Sequence, residues 1–261
     1  MKLTSPHMNV MVKACRKAAK TIIRDFGEIE NLQVSLKGPG DFVTNCDKKV
    51  EKILIDELQK ARPNYSILSE EIGKVTNDDS FKWIIDPIDG TANFLHGVPH
   101  FAISIGLEHN KEIICGIIYD PIKDEMFTAE KGNGSYLNNQ RMRVSSRSKL
   151  KDCIIFTGGP KRDSTDRELA LKEYSNFSLK VLVPIRKLGS AALDMAYVAA
   201  GRCDGFWQRN LNYWDIAAGI ILVKEAGGFV TDFNGENEYI QNKSILVTNS
   251  KINKEMIEVL K

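Results

Sequence analysis

The tightest restriction on the fold comes from Trp83-Ile84-Ile85, which runs without a break into Asp86-Pro87-Ile88-Asp89-Gly90-Thr91-Ala92-Asn93. Trp and Ile are β-formers, and an apolar run this short, bounded by turn residues, suits a strand covered on both faces. Proline has no N–H to give a central ladder, so the pattern ends the strand at Asp86. Asp86 and Asp89 then sit on a stiff turn, near enough to share a cation. Gly90 admits a close backbone approach, and if a helix starts here the amides of Gly90, Thr91 and Ala92 point outward, where an anion is favoured. Carboxylates suited to a hard metal, beside bare amides suited to phosphate, point to metal-assisted phosphoryl transfer. The plain alternative is an Asx-rich turn after a strand, because Asp, Pro and Gly are ordinary turn residues. These residues alone do not choose between the two.

Several other function classes are disfavoured by the whole sequence. With 36 basic and 34 acidic residues the net charge is +2, which calls for neither nucleic acid nor an anionic membrane surface. No apolar run approaches the ~20 residues that span a bilayer, and Met1 to Met8 lacks the charged-then-apolar plan of a secretory signal. The five cysteines, Cys15, Cys46, Cys115, Cys153 and Cys203, are scattered and form no C-x-x-C pair. Reduced thiols in a cytoplasmic protein are expected rather than a disulfide framework or a zinc site. His96 and His100 are separated by Gly97 and Pro99, which argue against a helix that would align them on a metal.

Taken in order, Ser5-Pro6 opens a helix with Met11, Cys15, Ala18, Ala19, Ile22, Ile23 and Phe26 on its apolar face and Gly27 as its stop. Lys37 to Asp41 is a loop by composition. Thr44 and Asp47 resemble a capping box opening a second helix, whose stripe is Val50, Ile53, Leu54, Leu58 and Ala61. Asp47 falls in its first turn, where a carboxylate serves the helix dipole without further function. Ser66 to Ser69 is a short strand ending in Glu70-Glu71. Glu70 gains meaning only if this strand lies beside Trp83 to Ile85. Val75 to Phe81 is polar and is expected to be a connection.

An antiparallel meander follows over Phe101 to Leu107, Ile113 to Tyr119 and Glu125 to Glu130, with turns at Gly132-Asn133-Gly134 and Asn138-Asn139. After about residue 145 strand and helix patterns alternate, with Lys180 to Val183 among the expected strands. The helix opened by Trp214-Asp215 is apolar nearly all round through Val223 and should be buried. Asp215 at its start reads equally as an N-cap and as a carboxylate facing an internal metal.

With Asp86-Pro87-Ile88-Asp89-Gly90-Thr91 and Trp214-Asp215-Ile216-Ala217-Ala218-Gly219 both in view, flanked by Glu70-Glu71 and Glu225-Ala226-Gly227-Gly228, the sequence closely resembles the inositol monophosphatase family over essentially its whole length. Arg186 to Asp194 and Tyr197 to Arg202 look like its bacterial SuhB-type branch. The resemblance implies an α/β fold of layered type, the αβαβα sugar-phosphatase sandwich. Its N-terminal half, 1–145, and C-terminal half, 146–261, would pack as one catalytic unit, usually in a homodimer.

The resemblance also implies roles for individual residues. Glu70, Asp86 and the carbonyl of Ile88 would hold one Mg²⁺, and Asp86, Asp89 and Asp215 a second. A weaker third ion would sit near Glu70. Asp47 and Thr91 would orient the attacking water, and the amides of Gly90 and Thr91 would bind phosphate. Asp89, Ala191 and the residue at Gln208 would touch the inositol ring. Here Gln208 replaces the usual acid, and Ala92 the usual second threonine.

The expected reaction is Mg²⁺-dependent hydrolysis of inositol 1-phosphate or similar polyol phosphates by in-line attack of metal-activated water, with lithium inhibition. Two such ions typically lie ~3.5–4 Å apart, and oxygen-only ligands favour Mg²⁺ over Zn²⁺. No Cys, His or Ser accompanies the acidic residues with a partner suited to covalent transfer. Fructose-1,6-bisphosphate, NADP or a 3′-phosphonucleotide are alternative substrates, because an amide at Gln208 accepts ring hydroxyls less strongly than a carboxylate. A different class of role also stays open: binding to RNA polymerase antitermination complexes, with Arg141, Arg143, Arg147, Lys149 and Lys151 as a basic surface. Its plain counterpart is a solvated strand edge.

Overall fold

The computed structural model describes residues 5–28, 34–38, 41–159 and 166–261. In chain order, α1 (Pro6–Gly27) is followed by the hairpin β1 (Val34–Gly38) and β2 (Asp41–Thr44), then α2 (Asn45–Ala61). Next come β3 (Tyr65–Ser69), β4 (Gly73–Val75), β5 (Asp78–Asp89) and α3 (Thr91–Leu95). The meander is β6 (Ala102–His109), β7 (Glu112–Asp120), β8 (Glu125–Glu130), β9 (Gly134–Leu137) and β10 (Gln140–Met142). The remainder is β11 (Ile155–Thr157), α4 (Arg167–Ser178), α5 (Ala191–Ala199), β12 (Gly205–Arg209), α6 (Tyr213–Glu225), β13 (Phe229–Thr231), β14 (Ser244–Thr248) and α7 (Asn253–Leu260).

These elements stack in five layers, as the αβαβα expectation requires. Helices α1 and α2 pack on one face of an eight-stranded sheet of order β10-β9-β8-β7-β6-β5-β3-β4. Helices α5 and α6 fill the space between its other face and a four-stranded sheet of order β11-β12-β14-β13. Helices α4 and α7 cover the outside. The central apolar run behaves as its composition demands. Trp83 and Ile85 enter the core shared with α1 and α2, while Ile84 enters the core shared with α5 and α6. Ser5 caps α1, its hydroxyl accepting the Met8 N–H at 3.1 Å.

Helix α6 lies unusually close to the large sheet, because two sheet positions carry no side chain. A Cβ on Gly116 would fall 2.7 Å from the carbonyl oxygen of Ala218, and one on Gly106 would fall 3.0 Å from Cβ of Ala217. Ile216 to Val223 are all buried, so the continuous apolar sequence is accounted for by contact on every side.

Several local expectations are corrected. Pro87 does not end its strand: β5 continues to Asp89, with the ladder to β6 broken between Asp86 and Asp89. The break leaves out the position where proline would fail as a donor. Asp78 to Phe81 is the start of β5 rather than a connection. Lys37 and Gly38 end β1 and Asp41 begins β2, so that loop is a hairpin, with Pro39 and Gly40 outside the described residues. The cap expected at Thr44 rests on a side chain outside the described residues. Lys180 to Val183 forms no strand, and β11 gains only a single bridge, from Phe156 to Arg186. Pro184 interrupts any longer ladder there. Helix α6 begins at Tyr213 with Asn212 as its cap, so Asp215 stands in the first turn and is not the N-cap. None of the described helices is long and apolar enough to cross a membrane.

Candidate active site

The site is built on the break in β5. Asp86 pairs with Ser104 and Asp89 with Ala102, so three residues of β5 advance against two of β6. In a regular strand, residues three apart face opposite sides; one extra residue returns them to the same side. Asp86 and Asp89 therefore project together, and the Ile88 N–H donates to Asp86 Oδ1 at 3.1 Å.

Two helices complete the acidic group. Asp89 Oδ2 accepts the hydroxyl of Ser190, the N-cap of α5, and the Ala192 N–H at 2.8 Å. Asp215 comes from the first turn of α6, and its Oδ2 accepts the Asn212 N–H at 2.7 Å. One carboxylate oxygen from each of Asp86, Asp89 and Asp215 lies within 4.8 Å of the others. The parallel pairing of β3 with β5 sets Ser69 beside Ile85, which delivers Glu70 to the Asp86 end of the strand.

Glu70, Asp86, Ile88, Asp89, Gly90, Thr91 and Asp215 all line one cavity of about 290 Å³. Ala191 and Gln208 line the same cavity. Asp47 does not reach the cavity. It is buried in α2 behind Thr91, whose hydroxyl lies 3.3 Å from Asp47 Oδ1 and 2.9 Å from the carbonyl oxygen of Ile88. Gly90, with φ +98°, adopts the left-handed conformation that starts α3.

Electrostatics indicate what the cavity is made to hold. Burial, then the charges of Glu70, Asp89, Asp215 and Asp47, raise the Asp86 carboxyl well above its ordinary range. Burial also raises Asp89, to about 6, against the opposing bonds from Ser190 and Ala192. Among the described residues no lysine or arginine forms an ion pair with Asp86 or Asp89. Each pair of carboxylates at ~4 Å repels by about 4 kcal/mol at an effective dielectric near 20. An oxygen-only ligand set fits a hard divalent cation.

Three residues that the sequence did not single out belong to this arrangement. Ser190 fixes Asp89, and its only sequence signal is its place as a cap before an apolar helix. Glu51 accepts hydrogen bonds from the turn that carries Glu70. It stands one helical turn after Asp47, the one hint available. Asp194 lines the cavity wall, fully buried, with no hydrogen-bond partner on either oxygen. Burial, then the nearby Asp89, pushes its carboxyl well above the ordinary carboxylate range.

Other candidates lie elsewhere. His100 packs edge-on against Tyr197, with ring centroids 5.8 Å apart. Arg147 in the basic stretch pairs with the buried Asp204 at 3.2 Å.

Comparison with known proteins agrees with this geometry. The model of the inositol monophosphatase family matches residues 4–260. An inositol-1-monophosphatase of Mesorhizobium japonicum is 50% identical over 255 residues, 97% of this chain and 96% of that one. The crystal structure of the extragenic suppressor protein SuhB from Bartonella henselae superposes with a TM-score of 0.95 at 51% identity, covering 98% of this chain and 99% of that one. The Nus factor SuhB of Escherichia coli is 39% identical over 260 residues, covering 97% of this chain and 94% of that one. A match over nearly the full length, in a chain whose two acidic motifs meet at one cavity, makes this protein a member of the inositol monophosphatase family.

Proposed function

We propose that this protein is a Mg²⁺-dependent phosphomonoesterase of the cytoplasm that hydrolyses myo-inositol 1-phosphate and similar polyol phosphates. The observation that carries this reading is the convergence of Asp86, Asp89 and Asp215 within 4.8 Å, beside the Gly90-Thr91 backbone. The relatives named as inositol-1-monophosphatases support the substrate class.

In this reading Glu70, Asp86 and the Ile88 carbonyl hold one Mg²⁺, and Asp86, Asp89 and Asp215 hold a second, with a weaker third ion near Glu70. Bound Mg²⁺ supplies Lewis acidity, lowering the pKa of water and stabilising charge on the leaving oxygen. The chain supplies position. The amide N–H groups at Gly90 and Thr91 open the first turn of α3, where no intrahelical acceptor exists, and they bind phosphate oxygens. The Thr91 hydroxyl sits between two acceptors, Asp47 and the Ile88 carbonyl. It accepts a hydrogen bond from the attacking water while giving its own hydrogen away, which aims the water's lone pair at phosphorus. Gln208, Ala191 and Asp89 contact the ring. Gly158 leaves room for the Gln208 amide, since a Cβ there would fall 2.0 Å from Gln208 Oε1.

The test is phosphate release from inositol 1-phosphate with Mg²⁺ titrated from zero, with fructose-1,6-bisphosphate, NADP and a 3′-phosphonucleotide run in parallel. Release that needs Mg²⁺, is inhibited by Li⁺ and favours inositol phosphate supports the reading; preference for another ester moves the substrate and keeps the mechanism. Size measurement tests the accompanying expectation of a homodimer. A second reading, a partner of RNA polymerase antitermination complexes, draws on the relative named as a Nus factor. Retention on immobilised polymerase with elongation factors supports it, and no retention at modest salt removes it.

A further inference from the structure

We propose that Glu51 is a positioning residue for the metal centre: its buried carboxylate clamps the turn that presents Glu70, and so couples α2 to the cation site. The inference rests on Glu70 being a metal ligand.

Glu70 is carried by a short hairpin turn. Ser69 at the end of β3 is paired with Gly73 at the start of β4, leaving Glu70, Glu71 and Ile72 to close the chain. Gly73 makes the turn with φ +73°. Such a turn exposes backbone N–H groups that no strand partner satisfies, and a turn with free donors frays.

Here those donors converge on one atom. Glu51 Oε1 accepts the hydroxyl hydrogen of Ser69, the Glu71 N–H at 2.9 Å and the Ile72 N–H at 3.4 Å. The three donors bracket Glu70 on both sides. Glu51 is 2% exposed, and no lysine or arginine among the described residues forms an ion pair with it. Its buried Oε1 is therefore partnered, among the described residues, by these hydrogen bonds alone. Asp47 lies one turn earlier on the same helix face and is also buried. Helix α2 thus braces Thr91 through Asp47 and Glu70 through Glu51, fixing two sides of the cavity from a single rigid element.

A residue that only tied α2 to the sheet would affect folding and leave metal affinity alone. A positioning residue changes affinity, because a ligand held in place loses less freedom when it binds. The experiment therefore reads two quantities in full-length wild type, Glu51→Gln, Glu51→Ala, Ser69→Ala and Glu70→Gln: amide hydrogen exchange in metal-free protein, and Mg²⁺ affinity by calorimetry. In Glu51→Ala the Glu71 and Ile72 amides should exchange at least about tenfold faster, and Mg²⁺ should bind about tenfold more weakly. Glu51→Gln retains Oε1 as an acceptor and should stay within about threefold of wild type. Ser69→Ala removes one donor and should fall between the two.

Wild-type Mg²⁺ affinity in Glu51→Ala overturns the proposal. If that variant does not fold, wild-type affinity in Ser69→Ala overturns it. Wild-type affinity in Glu70→Gln instead removes Glu70 from the metal site, a failure of the underlying reading that the amide exchange does not share.

Discussion

Ser190 and Asp89, 101 residues apart in the chain, are joined by a direct hydrogen bond from the serine hydroxyl to Oδ2 of the carboxylate. The same hydroxyl oxygen accepts the Leu193 N–H at 3.3 Å, so a helix cap is also a brace for the acidic cluster. Ser190→Ala should destabilise the protein by about 1–2 kcal/mol through the lost cap and hydrogen bond. It should also raise the Asp89 carboxyl further, since the bond favours the charged form. Thermal melts with and without Mg²⁺ check both: the loss should be larger with the metal present.

Asp89→Asn should reduce Mg²⁺-dependent phosphate release to background while leaving the fold intact. The amide oxygen still accepts from Ser190 and Ala192, and one charge is removed from a crowded group. The metal-free variant should melt at or above the wild-type temperature, because like-charge repulsion falls. Wild-type turnover would remove Asp89 from the active site.

Stability without metal should fall as pH rises through the range in which the cluster ionises. Asp89 titrates near 6 in the folded protein and Asp86 higher than its ordinary value, both through burial first. The folded state therefore binds more protons than the unfolded state above the ordinary carboxylate range, and the slope of stability with pH is negative there. Mg²⁺ competes with those protons, so the rise in melting temperature that it produces should be greater at pH 7.5 than at pH 5. Equal shifts at the two values would contradict the assignment.

Gly116→Ala should destabilise by about 1–3 kcal/mol, the usual cost of an inserted methyl in a packed core. The new Cβ would meet Ala218 backbone atoms at 2.7 and 3.1 Å, and backbone does not swing aside as a side chain can. Because Asp215 opens the displaced helix, Mg²⁺ affinity should fall as well. Melting and calorimetry together check this.

Gly158→Ala should act differently. The atoms in its way belong to the flexible end of Gln208, so stability should change by less than about 0.5 kcal/mol. The displaced amide should raise KM for inositol 1-phosphate with little change in kcat. A full kinetic series on two esters checks whether the effect follows the ring or the phosphate.

What the sequence by itself determined was local. Trp83 to Asp89 announced a buried strand ending in carboxylates, and Ile216 to Val223 announced a helix buried all round, because side-chain periodicity and turn chemistry are carried by neighbouring residues. Each acidic motif taken alone read equally as a metal site or as a plain turn or cap, and only their combination, through the family resemblance, favoured the metal and phosphate reading. The tertiary structure alone decided how the pieces meet. Glu70 reaches Asp86 only because β3 runs parallel to β5 in one register. Asp86 and Asp89 share a face only because the ladder with β6 skips a residue, where local rules for Pro87 ended the strand. Ser190 and Glu51 carried only a weak signal and Asp194 none, since a cap, a helical acid and a surface-like glutamate look alike until partners distant in the chain surround them. Strand pairing and hydrogen bonds between remote residues depend on the whole chain's packing, and no window of sequence contains that information.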